Sequence, residues 1–466
     1  MRWTTPRLIV AGLSGDGGKT LVSLGLGRAF ADRGLAVQAY KKGPDYIDPA
    51  WLSAATRSQC RNLDTFMMTD GAVGASLLAA SSFDLALIEG NRGLYDGFDA
   101  TGTHSTAELA KKLAAPVVLV VNVTKATRTV AALVLGCRNL DPEVHLAGVI
   151  LNRVGTDRQV RVITEAVEAL DVPVLGAIPR LTGSDPLPGR HLGLVTFAEH
   201  PARERSLDRA ADAVRDNVDL DRLLALARSA PPVEMPVAVR SAIQAPVTLG
   251  FFSDPAFSFY YPENLEGLKI AGARLRPVSP ASDALVPEQI DGLYIGGGFP
   301  EVHAPKLAEN TGFLEDLARR VLAGLPVYAE CGGLMYLARR IVIGEASYEM
   351  AGVLDLVVRQ HARPEGHGYE VGSVDRDNPF FEQGARLVGH EFHYSSVDEG
   401  SDRDLTVVDL ERGQGVADRR DGVVKGNVWA SYLHLHASAT PFWADGFLEL
   451  ARAVAGRNPG DVAAWG

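Results

Sequence analysis

Cysteine is scarce in this chain. Cys60, Cys137 and Cys331 are the three among 466 residues, and no C-x-x-C pair occurs. An odd, scattered set offers no disulfide framework and speaks against a thiolate zinc site; it fits a reducing compartment. Positive charge is also short. Lys and Arg total 46 against 57 Asp and Glu, for a net charge of −11. A nucleic-acid partner needs a basic face to neutralise phosphates, so none is expected. A small anionic substrate needs only a local basic pocket and stays open. No apolar run reaches the ~18 residues of a membrane span. No signal-peptide pattern accompanies the first apolar run either. No membrane partner is expected, and the cytoplasm is the expected compartment. Internal repeats, heptads and low-complexity tracts are absent as well.

What is present is ordinary core material, 46% hydrophobic and 22% charged. The length suggests ~2–3 domains. The stretch that organises the chain is Gly12 to Thr20, G-L-S-G-D-G-G-K-T, between the apolar run Leu8-Ile9-Val10-Ala11 and a helical segment. Strand, glycine turn and helix are the setting in which backbone N–H groups converge on phosphate. Gly15, Gly17 and Gly18 would line the turn. Lys19 would reach the terminal phosphates, and Thr20 would sit on Mg²⁺. The spacing departs from G-x₄-G-K-[ST] by one residue, so this reads as a variant phosphate-binding loop.

Apolar runs then alternate with helical segments. Ala36–Tyr40, Leu85–Ile88, Pro116–Val121, Leu146–Leu151 and Val172–Ile178 are expected strands, and Ser105–Leu113 an expected helix. Continuous apolar runs suit strands buried on both faces, so a doubly wound parallel sheet is expected. Ligands of such sheets sit beyond the strand carboxyl ends. Lys41, Lys42, Asp45, Asp48, Glu89 and Asn152 all follow expected strands, and Asp96 lies on a glycine-flanked turn. Glu89 is placed like a carboxylate that orients Mg²⁺; Asp45 and Asp48 share one expected loop. Residues 205–229 read as helical, and proline density marks a linker over 230–246. A second alternating series begins at Val247. The expected domains are therefore 1–229 and 247–466.

In the second series, Tyr328-Ala329-Glu330-Cys331-Gly332-Gly333 ends a strand on a glycine turn into a helix. That is the form of a nucleophile elbow, which exposes a reactive atom and offers backbone N–H groups to an oxyanion. Gly332 would supply one donor. Gly296-Gly297-Gly298 would supply another, through Gly298. His434 and His436 are candidate bases; two apart on a strand, they face opposite ways. A metal set of His390, His393, His434 and His436 has only a weak H-x-H pattern behind it.

These segments together resemble the cobyrinate a,c-diamide synthase family over nearly the whole chain. The resemblance rests on Lys41-Lys42-Gly43-Pro44-Asp45-Tyr46-Ile47-Asp48-Pro49, Glu89-Gly90 with Gly93-Leu94-Tyr95-Asp96-Gly97, and Asp254 to Tyr261. Gly296 to Glu301, the Cys331 segment, Gly389 to Ser395 and Ser431-Tyr432-Leu433-His434 complete it. It implies a dethiobiotin-synthetase-like ATP domain followed by a flavodoxin-like class I glutamine amidotransferase domain. Cys331 would be the glutaminase nucleophile and His434 its base. Class I enzymes usually carry glutamate two residues after that histidine, but His436 stands there. The resemblance thus leaves a Cys–His dyad with nothing assigned to orient His434.

It further implies a ligase that uses ATP, Mg²⁺ and glutamine to amidate the a and c acetates of a tetrapyrrole through acyl phosphates. Thr20, Asp45 and Glu89 would hold the metal. Tyr46, Asp48 and Asp96 would lie toward the substrate, and Asn152 would contact adenine. Arg92 is a departure: apolar residues usually follow Glu-Gly in corrinoid-specific members, whereas Asn91-Arg92 stand here. Arg92 could pair bidentately with a substrate carboxylate, which keeps sirohaem or another sirohydrochlorin-type ring open beside cobyrinate. Two other readings are weaker. ATPase switches often carry an early loop lysine where Ser14 stands, and the intact Cys331–His434 pair also argues against a switch; the Pro44 to Pro49 loop and the full Asp254 to Tyr261 segment favour the a,c-diamide group over the similar adenosylcobyrate-type amidotransferases. A homodimer is compatible with all of this.

Overall fold

The structure, a computed structural model, describes residues 1–79, 82–181, 189–190, 193–237 and 246–456. It divides into two compact units, Met1–Ala238 and Val239–Gly466.

The first unit is built on a seven-stranded sheet. Its spatial order is Arg61–Leu63, Val37–Lys42, Leu85–Glu89, Arg7–Gly12, Val117–Asn122, Leu146–Val154 and Val174–Pro179. Every neighbouring pair is parallel. Leu8, Ile9, Val10, Val117, Val118, Leu119 and Val120 are almost wholly buried, because helices cover both sheet faces. Each such side chain contributes ~1.5–3 kcal/mol relative to an exposed one. The helices begin where their caps dictate. Ser105 accepts from Glu108 N to start Thr106–Lys112. Thr156 accepts from Gln159 N to start Asp157–Glu168. Both are S/T-x-x-E/Q capping boxes.

Two local expectations change. Asp48 is not in a loop: the helix Ile47–Thr56 opens before it, and Asp48 lies in the first turn, where a carboxylate meets the helix dipole favourably. The proline-dense segment is also partly packed. Val233–Glu234 pairs antiparallel with Arg2–Trp3, and Met235 is buried. Residues 238–245 of the expected linker lie outside the described residues.

The second unit centres on a ten-stranded mixed sheet. Its parallel half runs Ala273–Val278, Val247–Phe252, Gly292–Ile295, Val327–Glu330, Val428–Ser431. An antiparallel half continues through Arg420–Lys425, Thr406–Arg412, Gly366–Val374, Arg386–His393 and His434–Leu435. A separate four-stranded sheet packs nearby in sequence, within residues 340–399. The expected parallel series is present; the antiparallel half and the small sheet were not foreseen. Strands such as Gly366–Val374 and Arg386–His393 mix glycine and charged residues with apolar ones, which blurs the apolar-run signal.

Candidate active sites

The phosphate-type loop follows the strand Arg7–Gly12 and feeds the helix Lys19–Asp32. Gly18 caps that helix at φ 94°, where a side chain would be strained. It also has no room for one: a Cβ there would stand 1.9 Å from Asn152 Nδ2. Asn152 donates to Gly17 O at 3.1 Å, so its amide braces the turn itself. Gly15 is exposed and open, as a backbone that must approach a ligand should be. Lys19 Nζ donates to Ser14 O across the loop at 2.8 Å. Burial lowers the Lys19 pKa, partly countered by Glu89.

Thr20 Oγ1 donates to Glu89 Oε1 at 2.7 Å. The same oxygen accepts from Lys41 Nζ at 2.8 Å, and Lys41 also reaches Asp48 Oδ2 at 2.6 Å and Asp45 Oδ2 at 3.9 Å. Burial would lower Lys41, but Asp48, Glu89 and Asp45 outweigh it and hold the ammonium well above its ordinary range. Burial pushes Glu89 up. Burial, followed by the Asp48 charge, pushes Asp45 up to about 7. Asp45 Oδ1 meanwhile accepts from Ile47 N and Asp48 N, fixing the turn into the helix; Tyr46 is that helix's N-cap.

Asp96 Oδ2 accepts from Gly93 N at 2.7 Å, so it closes its own turn. Leu94 N donates to Gly12 O, which ties that turn to the end of the phosphate-loop strand. Arg92 has φ 48° and acts electrostatically on Lys42, whose pKa is lowered by burial first and by Arg92 after the opposing Asp64. The structure thus groups Thr20, Asp45, Asp48 and Glu89 around Lys41, with Asp96 beside the loop. Sequence reasoning gave Lys41 no role. The sequence puts it in the loop after Tyr40, whereas it lies buried within the strand Val37–Lys42.

The donors suit a hard cation. All are carboxylate or hydroxyl oxygens, and Glu89 Oε2 is buried with no hydrogen-bond partner among the described residues.

In the second unit, Cys331 stands between the strand Val327–Glu330 and the helix Gly332–Leu337 at φ 47°, ψ −98°. Few non-glycine residues hold such a backbone; it is the strained turn of an elbow. Cys331 N donates to Ser431 O at 2.6 Å. Burial, then the Glu301 charge, pushes the thiol well up, so a base must assist its ionisation. The Gly298 amide nitrogen lies 3.1 Å from where a Gly332 Cβ would be, so the two expected oxyanion donors share one corner.

His434 pairs in register with His390. Their rings stack at 4.9 Å and 16°. The Cε1 edge of the His434 ring lies against Gly297, where a Cβ would be 2.5 Å from Cε1. His436 turns away: its Nε2 is 3.7 Å from Glu263, and its ring packs on Tyr261. His393 is also directed elsewhere, to Ser395 O and Glu391, with its ring on Tyr432 at 3.6 Å. One expectation needs correction. A carboxylate does face His434: Glu330 Oε2 lies 3.7 Å from Nδ1, and both side chains are buried. The sequence hid it because the contact arises from strand pairing, Glu330 with Ser431, between distant segments.

Residues 8–195 match the family described as the CobQ/CobB/MinD/ParA nucleotide binding domain. Residues 248–442 match the CobB/CobQ-like glutamine amidotransferase domain. The chain is 41% identical over 453 residues to a cobyrinate a,c-diamide synthase of Magnetococcus marinus, covering 95% of this chain and 97% of that one. It is 42% identical over 436 residues to the enzyme of the same name from Archaeoglobus fulgidus, covering 92% and 94%. A third, from Dehalococcoides mccartyi, is 39% identical over 458 residues, covering 96% and 98%.

Proposed function

The chain belongs to the cobyrinate a,c-diamide synthase family, and on that premise we propose that it amidates the a and c acetates of a tetrapyrrole in two half-reactions. It is a glutamine-dependent amidating ligase with a nucleotide-binding domain. In the proposed division, residues 1–229 activate the carboxylate with ATP, residues 230–246 link, and residues 247–466 release ammonia from glutamine. The observation that carries this is the Cys331 elbow, a buried thiol at φ 47°, with the Gly298 amide close to Gly332 and His434 packed against the neighbouring Gly297.

At that elbow Cys331 Sγ attacks the glutamine carboxamide carbon while His434 takes the thiol proton. Gly298 and Gly332 N–H donate to the oxyanion. His434 returns the proton to the leaving nitrogen, ammonia departs, and water hydrolyses the thioester. In the first unit a substrate acetate oxygen attacks the terminal phosphorus of ATP, expelling ADP and forming an acyl phosphate; ammonia then attacks the acyl carbon, loses a proton and expels inorganic phosphate to leave the amide. A carboxylate is a poor electrophile until activated this way. Lys19 balances the charge that moves in the transfer. Thr20, Asp45 and Glu89 would hold Mg²⁺, which supplies neutralisation of phosphate charge. Gly15, Gly17 and Gly18 cradle phosphate, Asn152 borders the nucleotide, and Tyr46, Asp48, Arg92 and Asp96 face the ring. A cytoplasmic enzyme fits these substrates; among the described residues no helix is long and apolar enough to cross a membrane.

Asn91-Arg92 after Glu89-Gly90 keeps a second ring, sirohaem, open, because Arg92 could pair with a ring carboxylate. The test offers cobyrinate and sirohaem separately, with ATP, Mg²⁺ and glutamine, and reads product mass. Each amidation replaces OH by NH₂. Two shifts on cobyrinate are expected; shifts on sirohaem alone would move the substrate and keep the chemistry. ATP hydrolysis with no shift on either ring would defeat the ligase reading.

A further inference from the structure

We propose that Glu330 is the positioning carboxylate of His434, taking the part that the absent glutamate two residues after the histidine would have played. This rests on the reading of Cys331 and His434 as the glutaminase pair.

A carboxylate directly before a nucleophilic cysteine is electrostatically adverse. Glu330 is among the charges that oppose thiolate formation at Cys331, after burial and Glu301. It is also completely buried, where a charge is costly unless it is paired. Its hydrogen-bonding neighbours hold it in one orientation. Tyr294 OH donates to Oε2 at 3.0 Å, and Leu435 N donates to Oε1 at 3.2 Å. Asn264 Nδ2 in turn reaches Tyr294 OH at 3.3 Å and Leu435 O at 2.8 Å, so the same helix residue fixes both donors. What this arrangement aims at is His434 Nδ1, 3.7 Å from Oε2. Contacts of this kind are commonly long before substrate binds and tighten afterwards.

The ring has little freedom to turn away. His390 stacks on its face and the Gly297 backbone stands at its Cε1 edge. With Nδ1 toward a carboxylate, the neutral ring keeps its proton there and leaves Nε2 as the basic atom. When Nε2 takes the Cys331 proton, the new imidazolium finds Glu330 as its counter-charge. Glu330 faces its Nδ1 and His390 stacks on the ring. Burial, then His434 and His436, keeps His390 well below its ordinary range, so it stays neutral and the cation forms on His434. Glu330 therefore stabilises the thiolate–imidazolium state that the reaction needs.

The test uses the full chain and glutamine hydrolysis. Glu330→Gln keeps the shape and the Leu435 contact and removes the charge. The glutaminase kcat is expected to fall about a hundredfold, as for a disabled general base, with the glutamine KM within about threefold. Glu330→Asp keeps the charge one methylene further back and is expected to recover about tenfold of that loss. Tyr294→Phe removes a donor that holds Oε2 in place and is expected to lower kcat about tenfold, again with little change in KM. A general loosening of the site would raise KM as well and would not be rescued by aspartate. The inference is overturned if Glu330→Gln leaves kcat unchanged, or if Glu330→Asp is no better than Glu330→Gln. Should Glu330→Gln fail to fold, an unchanged kcat in Tyr294→Phe overturns it alone. Glutaminase that survives Cys331→Ala would instead sink the underlying pair, whatever the Glu330 variants do.

Discussion

Lys41 Nζ lies 2.8 Å from Glu89 Oε1, with both side chains almost wholly excluded from solvent. Register places them side by side, since Lys41 pairs with Glu89 across neighbouring parallel strands. The ammonium also binds Asp48, so one buried cation balances several carboxylates. Removing one partner of a buried pair leaves an uncompensated charge and costs about 3–5 kcal/mol. Lys41→Met is therefore expected to lower the unfolding free energy of the first unit by about that amount, read as the fall in urea midpoint times the m-value. Ligation with added ammonia is expected to fall at least a hundredfold, in line with lost electrostatic stabilisation. A midpoint equal to that of the parent would show that the pair is not what holds this corner.

A second buried acid predicts the pH response of stability. Glu370 is fully buried, and burial followed by Asp421 and Glu391 pushes its pKa well above the carboxylate range. Unfolded, it ionises near 4.3. Its folded value is raised, so its contribution is fully present below that pH and is lost as pH rises toward the folded value. Glu370→Gln mimics the neutral acid at every pH. The variant is expected to gain on the parent as pH rises from 5 to 8, read from denaturant midpoints at both values. An equal difference at the two pH values would contradict the raised value.

The strands of the first unit were legible because Val117–Val121 and Leu146–Leu151 are uninterrupted apolar runs, which only burial on both faces explains. The phosphate-type loop was legible from its glycines. The short strand Arg61–Leu63 escaped, having three residues and a polar majority. At the sites, Thr20, Glu89, Cys331 and His434 could be picked out because local pattern carries them: a glycine turn, a strand end, an elbow. Lys41 and Glu330 could not. Each matters through what strand pairing sets beside it, and pairing partners are not written locally in a sequence.

The two proposed half-reactions predict separable losses. Cys331→Ala is expected to abolish glutamine-dependent amidation and to leave amidation with added ammonia. Lys19→Ala is expected to remove ligation and to leave measurable glutaminase, because Lys19 belongs to the phosphate-type loop of the first unit and not to the Cys331 elbow. Product mass and ammonia release read the two activities on the same samples. Loss of both activities in Cys331→Ala, or full ligation by Lys19→Ala, would break the division.

Gly297→Ala tests how tightly the His434 ring is held. The added methyl would sit 2.5 Å from Cε1 and 3.3 Å from Nε2, closer than real Cβ contacts come. The ring cannot retreat freely, since His390 stacks over it at 4.9 Å. Either the imidazole tilts from its place or the Gly297–Gly298 strand shifts, and that strand brings one proposed oxyanion donor. Both movements spoil the same geometry, and a displacement of about 1 Å costs roughly a hundredfold in rate. Glutaminase kcat is expected to fall by that factor, with a stability loss of about 1–3 kcal/mol from overpacking. Ammonia-dependent ligation is expected to persist, because the substitution lies in the second unit. Unchanged glutaminase would mean that the ring can move without loss, and the geometry around His434 would then not be what sets the rate.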